Sequence, residues 1–171
     1  PAAIPTPDAD GRAIDVAALQ VDVDSVQHLV GVEEDIAVAR LNIDRHLRLA
    51  RDPPDLVVWG EGALDPGVSN DPSAMEEVSD AVASVGTPTI AGAVTDARDG
   101  TERTVTLAFD GTGAIVDRYE KVKLVPFGEY VPFRGALGWI SATDQVAVDR
   151  TPGEEVTLIS LPGLPKIGTP I

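Results

Sequence analysis

Apolar and polar positions alternate between two periods along this chain. Residues 14–20 (IDVAALQ) are apolar and partly β-branched, which predicts a buried strand, and a loop is expected over residues 22–31. From residue 32 to 51, Ile36, Ala39, Ile43, Leu47 and Ala50 recur at three- and four-residue steps, the spacing of an amphipathic helix. Glu33, Glu34 and Asp35 at its start and Arg45, Arg48 and Arg51 at its end match the helix dipole. Pro53-Pro54 stops the helix, and residues 55–59 (DLVVW) predict a short strand closed by Gly60, completing a βαβ unit.

The second half changes character. Residues 62–71 are rich in Gly, Pro, Asp and Ser and read as a surface loop, after which Asp71-Pro72-Ser73 opens a helix that runs to about Val85, ahead of Gly86. Strands are predicted over residues 89–94, 103–109 and 114–119, the last two joined by the hairpin turn Asp110-Gly111-Thr112-Gly113. No helix follows that turn, so it is not a phosphate-binding loop. Beyond Lys123, Pro and Gly interrupt every period; a short helix is expected at 133–140 and final strands at 156–161 and 167–171. Residues 1–12, with three prolines and a glycine, read as a linker. The expected fold class is α/β, with helices layered on a sheet of mixed parallel and antiparallel pairs.

Composition narrows the chemistry. Against 28 Asp and Glu stand 13 Lys and Arg, a net charge of −15 that disfavours nucleic acid and anionic membrane surfaces as general partners. There is no cysteine, hence no disulfide framework, no Cys-ligated metal and no thiol nucleophile within these residues. No apolar run approaches the roughly 18 residues that cross a bilayer. His28 and His46 lack partners at metal-ligand spacing and read as structural, and no cofactor is implied.

Two places carry candidate chemistry. Glu61 follows a strand expected to be buried, and the carboxyl ends of strands in α/β sheets are where reactive groups gather. Lys121 ends the second hairpin strand, and a Pro-Phe-Gly turn can fold Glu129 back towards it. A lysine held near glutamates stays protonated and can face a carbonyl oxygen that becomes an anion, while a carboxylate accepts a proton. On position alone, a solvated loop glutamate and a surface ion pair stand beside these readings.

The run Leu124-Val125-Pro126-Phe127-Gly128-Glu129-Tyr130-Val131-Pro132-Phe133-Arg134, preceded by Tyr119-Glu120-Lys121 and, upstream, by Val57-Val58-Trp59-Gly60-Glu61, resembles the nitrilase-type catalytic domain of apolipoprotein N-acyltransferases. Thr151-Pro152-Gly153 and the closing residues 167–171 (IGTPI) fit the same pattern. The resemblance implies an αββα sandwich and a Glu-Lys-Cys triad, with Glu61 as general base, Lys121 as the oxyanion-stabilising lysine and Glu129 as its support. It further implies that the nucleophilic cysteine follows residues 167–171, so that residues 13–171 form the N-terminal two thirds of an incomplete domain.

By that resemblance the intact protein takes an acyl chain from a phospholipid and passes it to an apolipoprotein. It does so at the extracytoplasmic face of the bacterial plasma membrane, held there by segments outside this chain. Residues 131–140 are then a candidate membrane- or acyl-facing loop, and the 171-residue chain alone is expected to be inactive and marginally stable or self-associating. A soluble amidase acting on a small carbon–nitrogen substrate and a non-catalytic binding module of the same fold are the alternatives. Two departures from the pattern are Gly60 where proline usually precedes the base, and a missing asparagine in the strand over residues 103–107.

Overall fold

The computed structural model describes residues 11, 13–22, 26, 29–97, 100–133 and 148–169. Five strands form one sheet in sequence order: β1 (Val16–Leu19), β2 (Leu56–Leu64), β3 (Thr89–Asp96), β4 (Glu102–Phe109) and β5 (Ile115–Glu120). β1, β2 and β3 are parallel, whereas β4 and β5 add antiparallel, as the switch from βαβ patterning to a hairpin predicts. Helix α1 (Val32–Leu47), extended by a 3-10 turn over Arg48–Arg51, crosses from β1 to β2, and α3 (Pro72–Val85) crosses from β2 to β3. Asp71 caps α3, its Oδ1 accepting from the N–H groups of Ser73 at 2.8 Å and Ala74 at 3.0 Å.

Both helices lie on one face of the sheet. Ala39 of α1 and Val78 and Val82 of α3 pack on Val57, Trp59, Ala91, Val105, Leu107 and Phe109, alternate residues of three strands. The intervening residues Leu56, Ile90, Ala108 and Tyr119 point to the opposite face, where Ile159 and Leu161 cover them. The described residues thus comprise one helix layer and one sheet. Most of the expected linker and residues 134–140 of the expected helix lie outside the described residues.

Several expectations are corrected. The strand expected to be buried at residues 14–20 is β1, at one end of the strand order, and its residues are exposed or half-buried, Val16 at 49%. The strand predicted to close at Gly60 continues to Leu64, and residues 62–71 are not an open loop, because β2 leads into a one-turn helix α2 (Pro66–Ser69). The cause is a bulge. Trp59 pairs with Ala91 and Leu64 with Ala93, so five steps of β2 span two of β3 and the surplus residues swing out of the ladder. Of the strands expected at 156–161 and 167–171, the described residues keep one bridge, in which Ile159 and Ile167 exchange N–H···O bonds of 2.9 Å each; residues 170 and 171 lie outside the described residues. Pro162 and Pro165 between them interrupt a longer ladder.

His46 is a core residue. Fully buried on α1, it accepts at Nδ1 from Trp59 Nε1 at 3.3 Å and meets the indole edge-on, with ring centroids 5.7 Å apart. Burial pushes its pKa down from 6.5 to about 4. The folded value lies below the unfolded one, so this stabilisation is present above pH 6.5 and is lost as the pH falls towards 4, by about 3 kcal/mol at most. Asp65 works in the opposite sense: burial, with the Asp35 charge beside it, raises its carboxyl from 3.8 to about 6. Protonating it therefore adds stability over nearly the same interval. Urea unfolding of Asp65→Asn at pH 7 and pH 4.5 is expected to show a steeper acid loss than the unsubstituted chain; equal slopes would sink the assignment.

Candidate active site

Lys121 directly follows β5, and its N–H extends the ladder by donating to Thr104 O at 2.9 Å. The turn beyond it is closed by the Gly128 and Glu129 N–H groups, which donate to Val125 O at 3.2 and 2.9 Å, with Phe127 at a φ of 62°. This compact turn carries Glu129 back onto Lys121. Lys121 Nζ lies 3.1 Å from Glu129 Oε1 and 3.0 Å from Oε2, and the two residues are only 7% and 6% exposed. A pair so far removed from water is neither solvated nor screened, which sets aside the surface ion pair.

The Glu129 carboxylate has further partners. Val125 N–H donates to Oε2 at 2.8 Å, Thr104 Oγ1 donates to Oε1 at 3.1 Å, and Arg150 Nη1 reaches Oε1 at 3.1 Å. Burial alone would raise this carboxyl, but the Val125 amide, the Lys121 ammonium and the Thr104 hydroxyl outweigh it and hold the group below its ordinary value. Glu129 is therefore a fixed anion at neutral pH. Thr104 lies within the strand where an asparagine was missed, and its hydroxyl supplies support there. Arg150 carries no local sequence signal: it stands 21 residues from Glu129, beside the Thr151-Pro152-Gly153 run.

Glu61 is exposed and sits in the β2 bulge. Among the described residues no hydrogen bond or ion pair joins it to Lys121 or Glu129. What it shares with them is a face. Gly92 has the parity of Ile90 and so faces away from the helices, and a Cβ on Gly92 would stand 2.8 Å from Gly60 O and 2.9 Å from Glu61 Cα. The bulge thus folds across that face, the same one from which Thr104 and Tyr119 project.

A cavity of about 260 Å³ opens there, lined by Glu61, Ile90, Gly92, Thr106, Gly168 and Thr169. A second, of about 440 Å³, is lined by Tyr119, Val122, Val156, Leu158, Gly168 and Thr169. Gly168 and Thr169 line both, and the buried Thr169 hydroxyl has no partner among the described residues. Of residues 131–140, Val131 is buried and Phe133 is 84% exposed; residues 134–140 lie outside the described residues.

The fold is the nitrilase-like one of a solved carbon–nitrogen hydrolase. A carbon–nitrogen hydrolase from Helicobacter pylori G27 superposes with a TM-score of 0.54 at 18% identity, over 87% of this chain and 48% of that one. Curated sequence homologues include apolipoprotein N-acyltransferases. That of Allorhizobium ampelinum is 28% identical over 171 residues, covering 92% of this chain and 31% of the relative, and that of Agrobacterium fabrum is 35% identical over 115 residues, covering 57% and 22%. The chain thus spans about a third or less of the length of these relatives. No family model matches it. Among the described residues no helix is long and apolar enough to cross a membrane.

Proposed function

We propose that this chain is the base- and lysine-bearing part of an apolipoprotein N-acyltransferase. The observation that carries this reading is the buried Lys121–Glu129 pair, on the sheet face over which the Glu61 bulge folds. In the intact protein a cysteine thiol from outside these 171 residues gives its proton to Glu61 and its sulfur attacks the ester carbonyl of a phospholipid. The ammonium of Lys121 faces the oxygen that becomes negative, and Glu129 keeps that ammonium in place without releasing its own charge to solvent. Collapse expels the lysophospholipid alkoxide, which takes the proton from Glu61, and leaves a thioester. The α-amine of an N-terminal diacylglyceryl cysteine then attacks the thioester, loses a proton through Glu61, and restores the thiol.

By this reading the intact protein works at the extracytoplasmic face of the bacterial plasma membrane, with the phospholipid and the lipoprotein as its partners. In the full-length protein, Glu61→Gln is expected to reduce thioester formation about 10²–10⁴-fold, as for loss of a general base. Retained turnover would overturn the assignment of Glu61. The purified 171-residue chain is expected to transfer no acyl group, and acylated peptide product from it would contradict the proposal. If the full-length protein instead hydrolyses small amides irrespective of lipid, the amidase reading replaces this one.

A further inference from the structure

Arg150 belongs to no motif, yet the backbone around it is tied to both halves of the ion pair. Its N–H donates to Glu129 O at 2.7 Å, Thr151 N–H donates to Glu102 O at 2.8 Å, and Gly153 N–H donates to Lys121 O at 2.8 Å. The approach at Gly153 is close enough that a Cβ there would stand 2.6 Å from Glu120 O. The segment is therefore laced alongside the site, and the Arg150 side chain enters it from a fixed origin. Nη1 donates to Thr104 Oγ1 at 2.8 Å and to Glu129 Oε1 at 3.1 Å, while Thr104 gives its own proton to the same Oε1.

The electrostatic consequence follows from counting charges. A lysine paired with one carboxylate has most of its field cancelled at a distance. Here one carboxylate is shared by two cations, Lys121 and Arg150, while Glu102 stands farther off at 3.9 Å from Arg150 Nε and Asp65 also feels the Arg150 charge. Arg150 thereby holds Glu129 through Oε1, an oxygen that Lys121 also contacts, and the negative charge is shared between the two cations. We infer that Arg150 is a positioning residue: with Thr104 it clamps Glu129 and leaves part of the Lys121 charge free to act on a reacting oxygen. This inference rests on Lys121 being the oxyanion-binding group.

Two measurements test it separately from that reading. The groups facing the Glu129 carboxylate are Lys121, Arg150, Thr104 and the Val125 amide, with Glu102 behind Arg150. Carboxyl ¹³C NMR of the full-length protein is expected to show the Glu129 titration moving upward in Arg150→Gln and returning towards its starting position in Arg150→Lys. In the full-length protein Arg150→Gln is expected to lower kcat roughly 10–100-fold with KM unchanged, as loss of a partner that orients a reactive group does, with partial rescue by Arg150→Lys. An unmoved Glu129 titration would overturn the clamp. A loss of stability with kcat retained, equal in the Gln and Lys variants, would reduce Arg150 to a structural tie. If the titration moves while Lys121→Met keeps full activity, the clamp stands and the catalytic reading fails.

Discussion

Lys121→Met is expected to destabilise the chain by about 3 kcal/mol, the lower end of what breaking a buried ion pair costs, and to abolish acyl transfer by the full-length protein. The large effect comes from what is left behind. Glu129 is 6% exposed and stays charged at neutral pH, so without Lys121 a desolvated anion remains. The loss does not reach the upper end because Arg150, Thr104 and the Val125 amide still hold the carboxylate. Urea unfolding at pH 7 measures it, and a change below about 1 kcal/mol would mean that the pair is effectively solvated.

The pH dependence gives a second check on the same variant. Because the folded carboxyl of Glu129 lies below its ordinary 4.5, its contribution is present above pH 4.5 and fades as the pH falls through the folded value. Lys121→Met is expected to weaken that acid-side loss. Adding Glu129→Gln should recover part of the stability, since a neutral amide in place of the stranded anion no longer needs a counter-charge.

The other large effect concerns a residue with no side chain. Gly92→Ala places a methyl 2.8 Å from Gly60 O and 2.9 Å from Glu61 Cα, and both atoms are backbone, so no rotamer relieves the contact. The bulge must move. Destabilisation of about 1–3 kcal/mol is expected from the overpacking, and a displacement of about 1 Å at Glu61 is enough to lower turnover of the full-length protein about 10²-fold. Gly60→Ala is the control: its nearest contact, at 2.1 Å, is the end of the Gln20 side chain, which can swing away. Similar kinetics for the two variants would show that Gly92 does not set the position of Glu61.

Much of this architecture is legible along the chain. The three- and four-residue spacing from Ile36 to Leu47 predicts α1, Asp71-Pro72 marks the start of α3, and Asp110-Gly111 marks the hairpin, because each depends on neighbours a few residues away. Lys121 and Glu129 meet for the same reason. A ladder bond and one tight turn suffice to bring them together over eight residues. The bulge was not legible: Gly60-Glu61-Gly62 has the composition of a loop, and what keeps it in the strand is the pairing of Leu64 with Ala93 on a different element. The same holds for the C-terminal stretch, whose apolar residues suggested strands but whose prolines leave them packing as single side chains on Tyr119 and Ile90.

What the sequence alone determined is the class of the fold, the order of its elements and the local half of the site, since periodicity and turn chemistry act over a few residues. Only the tertiary structure decided that the Glu61 bulge lies across the face carrying Lys121. It also decided that Arg150, 46 residues from Thr104, closes the cluster around Glu129. Those placements depend on strand register and on backbone approach at Gly92 and Gly153. They are relations between distant segments, and no local pattern encodes them.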